Sequence, residues 1–597
     1  MSENGSGENE QLHLNEQRRR ILKLAGASIA MSGVAGCSGD GGDTPTSGGS
    51  DGGDGGGGDG GDGGDTPTST DSGGDGTATG TSVPTEQKMG GTLNVAMAST
   101  WETLFPMKHA VSPSYYQIFN VAPRFAYYDF DAGEVVPGAL SGWEWADEEQ
   151  TALRCTLKEG MTFHKGYGEA TAEDAVWTIN SIVNEGYGGG WIQKFLWPTP
   201  PIQGAEQVDE YTFDITMEQT YVPIIIGNLT NTSLISKDAV EDMGAEQFAQ
   251  TPVSAGPYEV VSSEFGATAR LERFEDGLTA QELGYAGPAY ADAIEFEVVP
   301  EPTTRLNLLQ NGEIDMIPGA SAQNQREVSN LSEISSVSRP AWNFDWLYVG
   351  GTGASQPARD ALNQVEVRQA IGYAVDRQSI VDNAYFGYAE PDDDMLTDEF
   401  AQDLYDTADE EYSDYDVFPL EADPEQARSL LQEAGYENLE IEMTTRNRQT
   451  EVRAAQVVVQ NLSEAGFDAT INQVDATTFS NIEREGNYDV LYSSLSTLSP
   501  DYEQVINYYL PDGDLNSMGY DNPEVTELIR ESRVTTDETE RDAIFRELFR
   551  LMIEDAPWVY LCHTIDATLF GTGDGLDRDL FAPLAGYLDL TDVYVDE

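Results

Sequence analysis

Positive charge is what this sequence has least of. Its 597 residues hold 31 Lys and Arg against 105 Asp and Glu, for a formal net charge of −74. Only seven of the cations are Lys, and none follows Lys237. A chain so poor in cations cannot neutralise phosphates, which is the main source of affinity for nucleic acid, and an anionic membrane surface repels it. Cysteine is almost as scarce: Cys37, Cys155 and Cys562 are too few for a disulfide scaffold. The four histidines, His13, His109, His164 and His563, are scattered, and no Cys/His spacing points to a metal. No run of eighteen apolar residues exists, so no segment reads as a membrane-spanning helix.

What is present is the composition of a folded protein, 39% hydrophobic and 10% aromatic. An acidic chain of this kind folds where salt is strong. At molar ionic strength the Debye length is only ~3 Å, and self-repulsion is screened. The composition therefore predicts a halophilic source.

Residues 1–36 read as an export signal rather than as structure. Arg18 and Arg19 precede Ile21 and Leu22 and a short Gly/Ala/Ser-rich apolar stretch, the pattern of a twin-arginine signal. Val34-Ala35-Gly36-Cys37 resembles a lipobox, so Cys37 is expected to carry a lipid and to begin the mature chain. Residues 37–88 form a linker. From Ser38 to Lys88, Gly, Asp, Thr, Ser and Pro supply 46 of 51 positions, with nothing to offset the entropy of folding. A flexible chain of that length spans roughly 36–43 Å. Its Gly48-Gly49-Ser50-Asp51-Gly52 matches a serine-nucleophile motif, but no strand or helix flanks it.

The functional body begins at residue 89. Gly91–Met97 reads as an opening strand, and Leu153–Leu157 alternates as a half-buried strand does. Thr171-Ala172-Glu173-Asp174 caps a helix through Ile182, and Tyr211–Ile215 is a further strand. In the second half, Asp423-Pro424 opens a helix that Gly435 stops. The strand Leu439–Met443, a helix from about Gln449 to Ala465 and the strand Ala469–Ile471 then make a βαβ unit, predicting a parallel sheet.

Seven segments carry a family resemblance: Gly90–Leu93, Gly160–Gly166 with Thr171–Val176, Ala255-Gly256-Pro257-Tyr258, Leu308–Asp315, Val367–Arg377, Asp423–Tyr436 and Gly486–Val490. In this order they resemble the solute-binding proteins of ABC importers, in the dipeptide, oligopeptide and nickel class. The resemblance implies an α/β, two-lobed periplasmic-binding-protein-like fold of the class II, large peptide-binding type. Lobe I would cover 89–340 and be completed by 516–597; lobe II would cover 341–515. The hinges would lie near Ala341–Gly350 and Asn516–Tyr520. It also implies a monomeric receptor, lipid-anchored at the outer face of the cell membrane, without cofactor or catalysis. Such a receptor passes a peptide or similar solute to a permease and its ATPase.

Most of the landmarks look structural. Gly256 and Pro257 set a turn, Gly312 permits another, and Val367, Ala370, Ile371 and Ala374 form a core stripe that leaves Arg368 and Arg377 to bridge acidic surface. For the ligand, a cleft needs aromatic walls and a few fixed charges. Trp101, Trp342, Trp346 and Tyr502 are the aromatic candidates, with core packing as their competing use. Arg446 could hold a carboxylate, or pair with a neighbouring acid. Asp501 matches, with Tyr502, the Asp-Tyr pair whose acid holds a ligand ammonium in peptide-binding members. Leu498 stands where a tryptophan is common, and Glu503-Gln504 replaces Asp-Pro. Cys155 and Cys562 are expected as buried thiols, with a disulfide as the alternative. Asn228, Asn231, Asn330 and Asn461 begin N-x-S/T sequons. The alternative functions are an exported lipoprotein hydrolase and a receptor of the same fold for nickel or another solute.

Overall fold

In the computed structural model the described residues are 89–595, apart from 109–111, 130–133, 185–196, 198–200, 332, 397–416, 497–501, 514 and 572–587. All of them belong to the compact unit Thr81–Glu597. The expectations for Arg18, Arg19, Cys37, the linker and Asp501 lie outside the described residues.

One large sheet of eleven strands organises the body. In chain order they are β1 (Thr92–Met97), β2 (Tyr258–Glu264), β3 (Thr268–Arg273), β4 (Ala293–Val298), β5 (Met316–Ile317), β6 (Ile334–Val349), β7 (Ala389–Pro391), β8 (Leu439–Arg446), β9 (Phe467–Val474), β10 (Val490–Ser496) and β11 (Trp558–Gly571). Across the sheet they run β9-β8-β10-β6-β11-β5-β1-β4-β3-β2, with β7 added on β11. A smaller antiparallel sheet of Leu140–Trp145, Ala152–Leu157, Thr212–Met217 and Ile202–Gln207 lies apart.

Local sequence explains these elements. Leu153, Cys155 and Leu157 alternate inward from the small sheet, and α1 (Ala172–Val183) starts at the expected box, with Asp174 accepting from the Thr171 N–H. In the second half, β8, the helix α4 (Gln449–Glu464) and β9 form the predicted βαβ unit, with β8 and β9 parallel from Leu439↔Phe467 to Arg446↔Val474. The helix buries Ala454, Ala455, Val458 and Leu462 at three- and four-residue spacing.

The landmarks do structural work. Both ring nitrogens of His164 meet backbone, Nε2 at 2.9 Å from Gly256 O and Nδ1 accepting from Ser254 N at 3.4 Å. A Cβ on Gly256 would lie 2.3 Å from Val121 O, so only glycine fits. Gly312 sits at φ +69°, where glycine carries no steric cost. The arginine helix differs from expectation. It breaks into α2 (Val365–Ala374) and α3 (Arg377–Ala384) because Val375 is extended and Asp376 caps the next helix through Ser379 N. Arg377 is fully buried, donating to the carbonyls of Asp392, Tyr560, Gly372 and Pro419. Arg368 donates to the carbonyls of Asp555, Leu362 and Asn363. Neither bridges surface acids: a planar five-donor group satisfies several orphan carbonyls at once.

Two large cores flank β6 and β11, the strands that run from one to the other. Sixteen residues make β6 about 50 Å long. Ile334–Pro340 of β6 pairs with Ile565–Gly571 of β11, and Phe344–Tyr348 pairs with Trp558–His563. The register shifts between Pro340 and Phe344, and again after Asp345. The first core gathers residues from Leu93 to Phe296 with Phe570, Leu588, Leu590 and Val593, and a smaller cluster around Leu306, Ile317, Ala567 and Leu569 adjoins the same end of β11. The second core runs from Phe344 to Cys562.

This packing divides the segment expected to complete lobe I. Met518 and the helices α5 (Pro523–Ser532) and α6 (Glu538–Asp555) belong to the second core. Phe545, Leu548, Phe549, Met552 and Ile553 form one apolar stripe on α6, which has to be buried where it stands. The strand β11 starts in the second core at Trp558 and ends beside the first core at Phe570, so it runs between the two.

Candidate functional site at the junction of the lobes

The crossing strands concentrate unsatisfied polarity. Asn343 Oδ1, Trp346 Nε1, Trp558 Nε1 and both ring nitrogens of His563 are buried and without a hydrogen-bond partner. Buried polar groups are paired in the great majority of cases, so this group of unpaired atoms sets the crossing strands apart. Around them stands an aromatic assembly: Trp346 stacks on Trp558 at 4.5 Å, and Phe344, Tyr348, Tyr508, Tyr509 and Tyr560 pack against that pair.

Below it sits a buried acid. Asp345 accepts hydrogen bonds from the hydroxyls of Tyr385 and Tyr492. Burial pushes its carboxyl up to about 6, against the pull of the two hydroxyls.

The lobes also touch directly. Tyr221, from the first core, lies 3.5 Å from Glu503 Oε2, and Val222 N donates to Arg533 O at 2.8 Å. Glu503 is held by Arg533, with Nε 3.1 and 3.0 Å from its two oxygens and Nη2 2.7 Å from Oε2. Arg533 Nη2 reaches Asn507 Oδ1 as well, at 2.6 Å. These are the residues that sequence reasoning missed. Their one signal was the departure from Asp-Pro at Glu503-Gln504.

The predicted residues are placed as follows. Tyr502 lies beside this contact as the residue before Glu503–Ile506, packed edge-on against Phe545 and Phe549. Trp101 is buried in the first core, its indole donating to Ser263 Oγ at 3.3 Å. Trp346 is buried in the second core, in the stack described above. Trp342 lies on β6 inside the register shift. Arg446 pairs with Glu451 at 2.9 Å and Ser494 Oγ at 2.7 Å, its guanidinium over the Phe479 ring. It takes the use in which an arginine neutralises a neighbouring acid, as an acid-rich chain favours. The structure thus brings Tyr502 to the lobe contact and sets Trp101 and Arg446 into local packing. Cys155 and Cys562 are buried free thiols in different cores, and burial raises both thiol pKa values.

Two cores joined by long crossing strands define a two-lobed α/β body. Comparison with known proteins agrees. Residues 134–517 match the bacterial extracellular solute-binding proteins, family 5 Middle. Over 378 residues the chain is 25% identical to the glutathione-binding protein GsiB of Pectobacterium atrosepticum, covering 60% of this chain and 68% of that protein. Among solved structures it is similar to the ABC transporter substrate-binding protein CtaP of Listeria monocytogenes, with a TM-score of 0.72 and 22% identity over 85% of this chain and 100% of that one. It is also similar to the periplasmic binding protein DppA of Helicobacter pylori in complex with the peptide STSA, with a TM-score of 0.71 and 18% identity over 86% and 99% of the two chains. The chain belongs to the family 5 extracellular solute-binding proteins, and its fold is the two-lobed periplasmic-binding-protein fold.

Proposed function

We propose that the protein is the lipid-anchored receptor of an ABC importer, held outside the membrane by Cys37, and that it captures a peptide with a free amino terminus between its lobes. Asp501 pairs with the ligand ammonium, Tyr502 flanks it, and closure presents the loaded receptor to the permease. The observation that carries this reading is the lobe contact of Tyr221 with Glu503, two residues beyond Asp501 in the chain. Tyr502, which follows Asp501 in the chain, lies next to that contact, and this supports the reading. The peptide-bound relative and the glutathione-binding relative both support a short peptide as the class of solute.

The test is a titration in molar salt with di- and tripeptides, free and N-acetylated, alongside mass spectrometry of the solute that co-purifies. Free peptides bind and acetylated ones do not. Asp501→Asn lowers affinity for the free peptide at least tenfold, since truncating one partner of a desolvated charge pair costs on the order of 2–5 kcal/mol. Equal affinity for acetylated peptides, or an unchanged Asp501→Asn variant, refutes the assignment. Product formation during the incubation would favour the hydrolase instead. For the anchor, Cys37→Ser sheds the protein into the medium or leaves an uncleaved precursor. Unchanged retention of that variant places the anchor elsewhere.

A further inference from the structure

Asp392 and Asp394, two residues apart, meet the distant His563 where β11 leaves the second core. Pairing of β7 with β11 brings them together: Glu390 lies opposite His563 and Pro391 opposite Cys562, and Asp392 N donates to Leu561 O at 3.3 Å. The turn that follows is built by its own carboxylates. Asp392 Oδ1 accepts from Asp394 N at 3.2 Å, and Asp394 Oδ1 accepts from Leu396 N at 2.5 Å. Asp393 points away, accepting from Val417 N and Phe418 N. The Arg377 guanidinium fixes the backbone by donating to Asp392 O at 3.1 Å.

The three side chains are all buried, at 5%, 5% and 1% exposure. One donor atom from each lies within 4.8 Å of the others. His563 Nε2 is 3.4 Å from Asp392 Oδ2, yet neither ring nitrogen makes a hydrogen bond of acceptable geometry. The backbone of Leu396 and Asp394 provides the other polar neighbours of the ring. A buried imidazole beside two carboxylates, with neither ring nitrogen in good hydrogen-bond geometry, is an arrangement that a cation shared by the three would satisfy.

We propose that Asp392, Asp394 and His563 bind one divalent transition-metal cation, Zn²⁺ or Mn²⁺, that ties the turn after β7 to the crossing strand β11. The donor set selects the metal. Imidazole with carboxylates suits first-row divalent ions, whereas Ca²⁺ and Mg²⁺ prefer oxygen alone. Around a tetrahedral ion with bonds of about 2.1 Å, neighbouring donors stand about 3.4 Å apart, which is the His563–Asp392 separation. Asp394 has a donor atom within 4.8 Å of the other two and reaches that spacing by a side-chain rotation. Asp394 also lines a small, mostly apolar cavity of about 10 Å³ with Met395, Phe549, Met552 and Tyr560. With all three donors buried, the ion's role is to hold the turn against the strand.

The experiment uses the full mature chain in multi-molar NaCl, which suppresses loose binding by surface acids. After chelator treatment the protein is reloaded with Zn²⁺ or Mn²⁺, dialysed, and measured for metal content and melting temperature. One ion per chain is retained and the melting temperature rises by several degrees. His563→Gln and Asp394→Asn each weaken binding at least 100-fold and abolish the thermal response, while an exposed control, Glu173→Gln, changes neither. Retention below a tenth of an ion per chain by the wild-type protein overturns the proposal. So does unchanged binding in the two variants, which would place the ion in the ligand cleft or on the surface. If the variants do not fold, X-ray absorption of the zinc-loaded wild-type protein decides: one imidazole ligand supports the site, and none overturns it.

Discussion

Trp346 and Trp558 stack across two adjacent strands, their ring centroids 4.5 Å apart and their planes within 13°, and neither indole N–H has a partner. An orphaned buried donor costs stability that the ring area more than offsets, so the rings matter to folding and the N–H groups do not. Trp558→Phe is expected to cost less than ~1.5 kcal/mol, against ~3–5 kcal/mol for Trp558→Ala. Denaturant unfolding in molar salt measures both, and equal losses would show that ring area is not what stabilises the stack. The exciton couplet of stacked indoles should vanish from the circular dichroism of either variant.

Glu503 and Arg533 form the charged half of the lobe contact, with Glu503 at 2% exposure and the Arg533 side chain at 17%. Removing the charge from one member deprives the other of its counter-charge at a largely buried site. Glu503→Gln should therefore destabilise the protein by roughly 3–5 kcal/mol. Tyr221→Phe removes a hydroxyl whose contact with Glu503 is a long 3.5 Å, and should cost less than Glu503→Gln. A Glu503→Gln variant as stable as wild type would show that this pair does not hold the contact.

Periodicity and capping made much of the fold legible. The alternation at Leu153–Leu157, the box at Thr171–Asp174 and the β8-α4-β9 unit appear where local chemistry put them. Long-range pairing was not legible. Nothing local in Trp558–Gly571 says that it returns to the first lobe, nor that α6 buries its stripe in the second. The junction was read only in part, for the same reason. Aromatic residues announce burial but not which surface buries them, so Trp101 and Trp346 read alike in sequence and lie in different cores. Arg377 looked like a surface residue because its partners are backbone carbonyls, which carry no sequence signature.

Charge makes a prediction that does not depend on the site. With a net charge of −74, the folded state is destabilised by self-repulsion unless salt screens it. The melting temperature should climb steeply between dilute buffer and multi-molar NaCl or KCl. A melting temperature independent of salt would remove the halophilic reading.

The sequons separate by burial. Asn228 and Asn231 are buried, at 1% and 6% exposure, and Asn461 is half-buried with its side chain accepting from Asp376 N. Asn330 is exposed. If the exported protein is glycosylated, peptide mapping should find the glycan at Asn330 and bare asparagine at 228 and 231. A glycan at either buried position would contradict this packing.

Asp345 gives a pH dependence whose sign is fixed by its surroundings. Burial lifts its carboxyl from the ordinary 3.8 to about 6. Between those values the folded protein holds a proton that the unfolded chain has released. The stability from that proton is complete below pH 3.8 and is lost as pH rises through about 6. The loss is on the order of 3 kcal/mol, at 1.36 kcal/mol per pKa unit. Asp345→Asn cannot ionise, and its amide oxygen still accepts from Tyr385 and Tyr492. His164, whose pKa burial lowers from 6.5 to about 4, works oppositely, losing stability as pH falls through that window. That contribution is common to both proteins and cancels in their difference. Relative to wild type, Asp345→Asn should therefore gain roughly 3 kcal/mol between pH about 4 and about 8, measured by denaturant unfolding in molar salt. Molar salt screens surface acids far more than a buried one, so the difference isolates Asp345. A difference that stays flat across that range would mean that the carboxyl is ionised in the folded protein throughout, and that the two tyrosine hydroxyls outweigh its burial.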